Sequence, residues 1–309
     1  MKQGDSVLDR FYSDIVSERV DVHAAMDNLI DGLRHLRNSM AVEEWDVFSR
    51  STIIHHPCFS ILSQDPFTRR NFEKPRGYDG DAKTLDYIYG MHPASEGPRS
   101  KLGGEIFAYT TNSAASKGVR ARKRIITGTI DAIASEVHEP RIFSLACGHL
   151  REAHDSHAIQ EGRIGELLAM DFDKKSLALV ADLFSALKVK TFHGSVKDII
   201  VASKTKKLGK FNLIYASGLY DYLSQRVAAR LTTMLFDMLL PGGKILISNF
   251  LPNIRDLGYM ETFMDWRLIY RNETQINDCI AEIEPDGIFA RHSFIEENNN
   301  IIFLEVTSG

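Results

Sequence analysis

Short apolar runs alternate with amphipathic stretches in the second part of the chain. Five such runs lie at 141–146, 166–170, 189–193, 211–216 and 244–248. Nearly continuous apolar character is typical of strands buried in a parallel sheet. The stretches between and after them predict helices at 152–160, 174–187, 195–202, 224–239, 257–270 and 273–283. Two last runs flank an Asn-rich turn and predict an antiparallel hairpin, so the pattern predicts an α/β fold that ends in a hairpin.

The first 138 residues show helical periodicity and no convincing strand. Helices are predicted at 14–36, 42–54, 57–63, 82–89, 105–111 and 115–137. Residues 65–80 and 92–104 are rich in turn-forming residues, and we expect long irregular loops there. The sequence therefore predicts two domains, a helical N-terminal lid or substrate lobe at 1–138 and an α/β domain at 139–309.

Composition restricts the classes of partner. The chain has 309 residues, of which 44% are hydrophobic and 25% charged, as in ordinary globular proteins. A net charge of −4 argues against a mainly electrostatic nucleic-acid binder. No apolar run approaches the roughly 18 residues of a membrane span, and the N-terminus lacks the apolar segment of a signal peptide. The three scattered cysteines suggest a reducing compartment. We therefore expect a cytoplasmic protein without nucleic-acid or membrane partners.

The segment 141–173 predicts a nucleotide-binding unit of strand, tight turn, helix, strand and acid. Asp171 ends the second strand 23 residues after Gly148, a spacing that suits hydrogen bonds to ribose hydroxyls. Ala146, Gly148 and Arg151 stand where a dinucleotide-binding turn would have three glycines. A pyrophosphate needs the close backbone approach that glycines allow, whereas a ligand without phosphates does not. The pattern therefore favours S-adenosylmethionine (SAM) over NAD.

These segments, in this order and spacing, resemble the class I SAM-dependent methyltransferase family over about 140–309. The resemblance rests on LACGHL (145–150), Asp171, FHGSV (192–196), FNLIYASGLYDYL (211–223) and LLPGGKILISNF (239–250). It implies a Rossmann-like sheet, SAM as cofactor and transfer of its methyl group. Two segments outside this core, 74–90 and 264–271, are similar to a bacterial subgroup that includes 3-hydroxy-fatty-acid methyl ester synthases.

The resemblance implies a cofactor site in the loops that follow the first four strands. Its predicted residues are Ala146, Cys147, Gly148, Asp171, Phe172, Gly194, Ser195, Val196, Ala216 and Ser217. Cys147 and Gly148 would form the turn under the methionine half of SAM, and Phe172 would pack on adenine. Many family members have an acid at the position of Ser195, so here a hydroxyl and a backbone N–H would recognise the base.

The segment after the fourth strand is expected to face the transferred methyl group. Tyr220, Asp221 and Tyr222 are therefore the candidate catalytic residues; the alternative is a helix cap by Asp221 and two packed aromatic rings. The predicted substrate-binding residues are Tyr87, Tyr89, Tyr109, Arg120, Arg124, Asn249 and Tyr270. Arg120 and Arg124 share a helix face and could clamp a carboxylate, although a solvated basic face is the ordinary interpretation.

A zinc site is the competing interpretation of Cys147, His149, His154 and His157, because thiolate and imidazole suit zinc. The cofactor turn accounts for the first two without a metal, so we predict no metal.

The sequence thus predicts methyl transfer to a small-molecule or carrier-bound carboxylate, hydroxyl or amine. Two alternatives stay open: attack by SAM's own amine with release of methylthioadenosine, or a module that binds SAM without turnover. A homodimer is compatible with each of these three functions.

Overall fold

The computed structural model describes residues 2–201 and 208–309. Contacts divide the chain into two compact units. The helical unit consists of Met1–Lys117 and Asn253–Arg267, and the sheet unit of Gly118–Pro252 and Leu268–Gly309. The sequence predicts a boundary after residue 138. The contacts instead place the boundary after Lys117, and they assign the later segment Asn253–Arg267 to the helical unit.

One mixed sheet organises the sheet unit. Its strands are β1 (Arg141–Leu145), β2 (Glu166–Asp171), β3 (Val189–His193), β4 (Phe211–Ala216), β5 (Leu239–Phe250), β6 (Ile288–Ile295) and β7 (Ile301–Ser308). Among the described residues their order is β3-β2-β1-β4-β5-β7-β6. The first five strands are parallel, and β7 lies antiparallel between β5 and β6. This arrangement confirms the predicted Rossmann-like methyltransferase fold with its terminal hairpin.

The runs that form β1, β2 and β4 are strands because their side chains fill the core. The run at 189–193 differs from the prediction: β3 lies at the edge of the sheet, and its Lys190, Thr191 and His193 are exposed. Phe143 of β1 stacks on Phe211 of β4 with ring centroids 5.1 Å apart, and both are fully buried. β5 is longer than predicted because its Pro-Gly-Gly segment forms a register shift inside the strand. A Cβ at Gly243 would lie 2.8 Å from the Leu240 carbonyl oxygen, so only glycine fits there.

Helices flank this sheet in the order that the periodicity predicts. They are α9 (Glu152–Asp155), α10 (His157–Gln160), α11 (Lys174–Leu183), α12 (Val196–Ile200), α13 (Gln225–Phe236) and α15 (Glu273–Asn277), after the long α8 (Ala114–Glu136). The helix predicted at 152–160 is broken at Ser156, whose hydroxyl caps α10 by accepting from the Ile159 N–H. The helix predicted at 195–202 ends at Ile200, and Ala202 lies outside the described residues.

The helical unit is formed by short helices around an apolar centre. They are α1 (Lys2–Val16), α2 (Val22–Ser39), α3 (Val42–Val47), α4 (Cys58–Leu62), α5 (Pro66–Glu73), α6 (Ala82–Tyr89), α7 (Lys101–Thr110) and α14 (Leu257–Phe263). The single helix predicted at 14–36 is two helices, because Glu18 has a positive φ of 50° and Asp21 caps α2.

Two other predictions for this unit are wrong. Residues 65–80 are not wholly irregular, since Asp65 caps α5 and Pro66 occupies its first turn. The helix predicted at 257–270 ends at Phe263, and Asp265 has a left-handed φ of 43°. A single helix over 257–270 would place Trp266 and Tyr270 on one face, and this expectation is therefore wrong. None of the helices in 2–201 or 208–309 is long and apolar enough to cross a bilayer.

Candidate functional site

The carboxyl ends of β1 to β5 lie along one edge of the sheet, which we call the carboxyl edge. β2 lies on one side of β1 and β4 on the other, so the chain changes direction of winding between β1 and β4. Loops that leave such a switch point diverge and leave a crevice, which is where open α/β sheets bind ligands. The predicted cofactor residues follow β1, β2, β3 and β4 and are therefore at this edge.

The turn after β1 has left-handed backbone at alternate positions. Ala146, Gly148 and Leu150 have φ of 54°, 54° and 51°, respectively. The turn is fixed by hydrogen bonds from the Cys147 N–H to the Met170 carbonyl oxygen at 3.0 Å and from the Leu150 N–H to the Cys147 carbonyl oxygen at 2.9 Å. The tight turn therefore forms with glycine at only one of its three left-handed positions.

Asp171 joins this turn to the end of β2. Its side chain is 6% exposed, and its two oxygens accept backbone N–H groups from Gly148 and Asp173, each at 2.8 Å. Burial raises the pKa of the Asp171 carboxyl, and hydrogen bonds from the backbone N–H groups of Asp173, Gly148 and Phe172 oppose that rise. Because two carboxylate oxygens offer about four acceptor positions, further donors can still bind.

Phe172 and the loop after β3 border the same acid. Phe172 is 52% exposed, and its carbonyl oxygen lies 3.1 Å from His193 Nε2. Gly194 is buried and donates its N–H to the Asp171 carbonyl oxygen at 3.0 Å. Ser195 caps α12, with its hydroxyl and its N–H both 2.9 Å from one oxygen of Asp198, and Val196 is partly buried. The acid of this loop is therefore Asp198, which fixes the backbone around Ser195.

The segment after β4 contains one exposed candidate and two that are fixed inside the protein. Ala216 is buried, and the Ser217 carbonyl oxygen accepts the Ser248 hydroxyl at 2.8 Å. Tyr220 is fully buried, with its hydroxyl 2.8 Å from Thr232 Oγ1 in the core. Burial raises the pKa of Tyr220. Tyr222 is 38% exposed.

Asp221 forms a buried ion pair that the sequence did not predict. One oxygen lies 3.4 Å from Arg122 Nη1, and the other accepts the Phe250 N–H at 2.8 Å. Both side chains of the ion pair are 3% exposed. Burial raises the pKa of Asp221, and the positive charge of Arg122 lowers it. Asp221 therefore links α8 to the segments after β4 and β5.

Asn249 belongs to a second buried network. Its side-chain amide donates to the Ile269 carbonyl oxygen at 2.8 Å, and its side-chain oxygen accepts Arg271 Nη1 at 2.6 Å. Arg271 is only 1% exposed and also donates to the Tyr220 carbonyl oxygen at 2.7 Å. Tyr270 precedes it and is partly buried. These contacts join the segments after β4 and β5 to residues 269–271.

The other predicted substrate residues lie in different places. In the helical unit, the Tyr87 ring packs 4.8 Å from His92, and the Tyr109 hydroxyl donates to Asp27 at 2.7 Å; Tyr89 is partly buried. In the sheet unit, Arg120 is partly buried, and burial together with the neighbouring Arg124 lowers its pKa. Arg124 is exposed and forms an ion pair with Glu297.

Cys147 and His154, two of the four residues of the zinc interpretation, have other contacts. Cys147 Sγ is 3.6 Å from the Gly148 carbonyl oxygen, and burial raises the pKa of this thiol well above its usual range. The His154 ring packs 4.8 Å from Phe184. Within the described parts of the chain, no group of three His, Cys, Asp or Glu side chains has the proximity that a metal ion requires.

Sequence reasoning missed Glu152 and Tyr215. The Tyr215 hydroxyl of β4 donates to Glu152 Oε1 of α9 at 2.7 Å, and both side chains are buried. An acid at the first position of a helix usually indicates only a favourable interaction with the helix dipole. The position of Glu152 therefore does not predict its hydrogen bond with Tyr215. Arg122 belongs to a cluster of basic residues at 117–124, a pattern that by itself indicates a solvated helix face.

SAM fits the residues at this edge. Its ribose offers two hydroxyl donors, and its adenine offers a flat apolar face. Asp171 is a buried acid with acceptor positions to spare, and the exposed ring of Phe172 follows it directly.

Comparisons with known proteins agree with this fold. The model of a family described as "Putative methyltransferase" matches residues 71–252, more than half of the chain. A solved structure from Bordetella parapertussis, described as a possible exported protein, is 14% identical with a TM-score of 0.57; the match covers 84% of this chain and 99% of that one. No curated protein matches.

Lower TM-scores are found for two methyltransferase structures. N-methyltransferase NodS from Bradyrhizobium japonicum WM9 is 11% identical with a TM-score of 0.43, covering 60% of this chain and 96% of that one. Magnesium protoporphyrin IX methyltransferase (ChlM) from Synechocystis PCC 6803, solved with bound S-adenosylhomocysteine (SAH), is 12% identical with a TM-score of 0.45, covering 63% and 87%. The family match and the strand order together identify the chain: it belongs to this methyltransferase family and is a class I SAM-dependent methyltransferase.

Proposed function

We propose that the sheet unit binds SAM at the carboxyl edge and that the protein methylates a small-molecule or carrier-bound acceptor. The observation that carries this proposal is the position of Asp171. This acid is buried at the end of β2, holds the turn after β1 through the Gly148 N–H, and keeps acceptor positions for ribose hydroxyls. The turn residues 146–148 would lie under the methionine half, and Phe172 beside the adenine.

SAM supplies an activated methyl group on a sulfonium centre. The residues of the chain need mainly to hold donor and acceptor in line and to exclude water. A carboxylate acceptor is already anionic and needs no base, whereas a hydroxyl or an amine must lose a proton. Tyr220 and Asp221 are engaged inside the protein. We therefore propose Tyr222, the exposed member of the three, as the residue that contacts the acceptor.

The narrower proposal is a fatty-acid acceptor. It is supported by the similarity of segments 74–90 and 264–271 to the subgroup with 3-hydroxy-fatty-acid methyl ester synthases. The first test is incubation of the protein with SAM and a series of 3-hydroxy fatty acids, with mass spectrometry of the esters. Cytoplasmic location, a homodimeric state and the absence of nucleic-acid and membrane partners stay predictions.

Calorimetry and product chromatography test the proposed function. SAM and SAH should bind, and NAD should not. Turnover with an acceptor should release SAH. Release of methylthioadenosine without an acceptor would instead indicate cyclisation, and binding without any product from a broad acceptor panel would indicate a non-catalytic SAM-binding module. Binding of NAD in place of SAM would contradict the proposal.

A further inference from the structure

A second buried carboxylate lies beside the turn after β1. Glu152 is the first residue of α9, directly after the turn, and is 7% exposed. Its carboxylate accepts the Tyr215 hydroxyl at 2.7 Å. Tyr215 pairs with Ser144 across the β1–β4 junction, and both residues are 1% exposed. Glu152 therefore lies at the switch point of the sheet, where this fold class binds its ligands.

The charge of Glu152 is not matched by the cations whose fields reach it. Arg122 and Lys123 lower its pKa from a distance, but they form their own ion pairs with Asp221 and Asp155. Burial is the larger influence and raises the pKa of the Glu152 carboxyl. Hydrogen bonds from its own backbone N–H and from the Tyr215 hydroxyl oppose that rise, but both come from neutral groups. A cationic group of a ligand would therefore stabilise this buried carboxylate.

Glu152 and Asp171 flank the turn together. Glu152 follows the last turn residue, Leu150, by two positions, and Asp171 accepts the Gly148 N–H of the turn. Both negative charges also raise the pKa of the Cys147 thiol in this turn. Under the proposed function, Asp171 accepts hydrogen bonds from the ribose. Glu152 would then face the part of the ligand that lies over the turn, and that part of SAM ends in an amino acid with a positively charged ammonium group.

We propose that Glu152 binds the ammonium group of the methionine half of SAM and that Tyr215 positions its carboxylate for this contact. This assignment rests on the proposed SAM site. It divides the recognition of the cofactor between two acids, with Asp171 for the ribose and Glu152 for the amino-acid end.

Three ligands separate the two roles by calorimetry. SAH carries both the ribose and the ammonium group. Deaminated SAH keeps the carboxylate and lacks only the ammonium group, and methylthioadenosine lacks the whole amino-acid end. Glu152→Gln keeps the size of the side chain and an acceptor for Tyr215 but removes the charge. It should weaken SAH binding about tenfold to a hundredfold, as the loss of a charge-assisted hydrogen bond does. Its affinity for the other two ligands should change by no more than about twofold, within the error expected for uncoupled groups.

Matched variants show whether the effect is specific. Asp171→Asn should weaken all three ligands by a similar factor, because all three contain the ribose. Tyr215→Phe should weaken SAH by a smaller factor than Glu152→Gln and spare methylthioadenosine. Glu166→Gln makes the same change at the start of β2, where the acid pairs with Arg141 and Lys190, and should alter none of the affinities. Thermal unfolding without ligand shows that each variant is folded.

The outcomes separate this inference from the proposed function. If Glu152→Gln leaves SAH binding unchanged, or weakens SAH and deaminated SAH equally, Glu152 has only a structural role and the inference is wrong. If wild-type protein binds none of the three ligands, the proposed SAM site itself is wrong. Loss of SAH affinity in Glu152→Gln with normal methylthioadenosine affinity supports both.

Discussion

The Gly148 backbone N–H donates to Asp171 Oδ2 at 2.8 Å, so the acid at the end of β2 also holds the turn at the end of β1. The Asp173 N–H binds the other oxygen at the same distance. A ligand that binds Asp171 would thus meet a carboxylate whose orientation is already fixed by two backbone groups, which lowers the entropy lost on binding.

Asp171→Asn should weaken SAM binding about tenfold to a hundredfold, because the amide cannot serve as a charged acceptor for ribose hydroxyls. One of its oxygens becomes an NH2 group that faces a backbone N–H, so stability should also fall by about 1–3 kcal/mol. Calorimetry measures the first effect and urea unfolding the second. Unchanged SAM affinity in a folded variant would place the ribose elsewhere.

Asp221→Asn should destabilise the sheet unit by about 3–5 kcal/mol, because Arg122 would remain buried without its counter-charge. Replacing both members of the pair by apolar residues, as in Arg122→Met with Asp221→Leu, should recover part of that loss. Urea unfolding of the single and double variants measures the effect.

Arg124→Met is the matched control for that experiment. Its partner Glu297 is exposed, as Arg124 is, and exposed ion pairs contribute about 0–1 kcal/mol. Equal stability losses in Asp221→Asn and Arg124→Met would contradict the structural role of the buried pair.

Tyr222→Phe should keep the fold and change the KM for the acceptor, if the Tyr222 hydroxyl contacts the acceptor. Steady-state kinetics with the acceptor measures this effect, and an unchanged KM would contradict the contact.

Asp65 should make the stability of the helical unit depend on pH. Its carboxyl is fully buried, and burial raises its pKa from 3.8 to about 6, against hydrogen bonds from Thr68 and Thr110. Between these two values the folded protein binds the proton more tightly than the unfolded chain. The contribution of Asp65 should therefore fall by about 3 kcal/mol as pH rises through this window, and stay constant above it.

Urea unfolding of wild type and Asp65→Asn at several pH values between 4 and 7 isolates this effect as a difference. The unfolding free energy of wild type minus that of Asp65→Asn should fall as pH rises from 4 to about 6, because only the wild type loses the stabilising contribution of the Asp65 proton. In Asp31→Asn the trend should have the opposite sign, at lower pH, since hydrogen bonding to Arg255 lowers the pKa of Asp31. A pH-independent difference for Asp65→Asn would mean that Asp65 does not titrate in this range.

Residues 1–138 are predicted to act as a lid, and ligand-dependent hydrogen exchange tests this role. Exchange in 74–90 and 105–124 should slow when SAH and acceptor are added, with little change in the terminal hairpin. Exchange that is indifferent to both ligands would contradict the lid and leave Tyr87, Tyr89 and Tyr109 with packing roles only.

The sheet could be predicted because a buried parallel strand has a simple signature. A run such as 211–216 is apolar on both faces and must lie in a core, whatever its partners are. The run at 189–193 contains Lys190 and Thr191 and forms the mostly exposed edge strand β3. Asp171 was predictable for a related reason, since strand, turn and acid follow one another at a spacing set by the βαβ unit.

Elements set by local capping and by distant partners could not be predicted in the same way. Asp65 and Pro66 are typical of turns, but they are equally suited to the cap and first turn of a helix, and α5 begins there. The contacts of Tyr220 and Asp221 depend on Thr232 and Arg122, which are distant in sequence. Glu152 and Tyr215 are 63 residues apart, and no periodicity connects them.

In the turn after β1, position 146 tolerates substitution by glycine more readily than position 150 does. Left-handed backbone costs a residue with a side chain about 1–2 kcal/mol, and Ala146 is only partly buried, so few contacts would be lost with its methyl group. A change to glycine relieves that strain against an entropic cost of about 0.5–1 kcal/mol and is close to neutral. Leu150 has the same backbone but is 1% exposed, so packing restricts its replacement. Related sequences can therefore gain or lose a glycine at position 146 by neutral drift while the path of the turn is conserved.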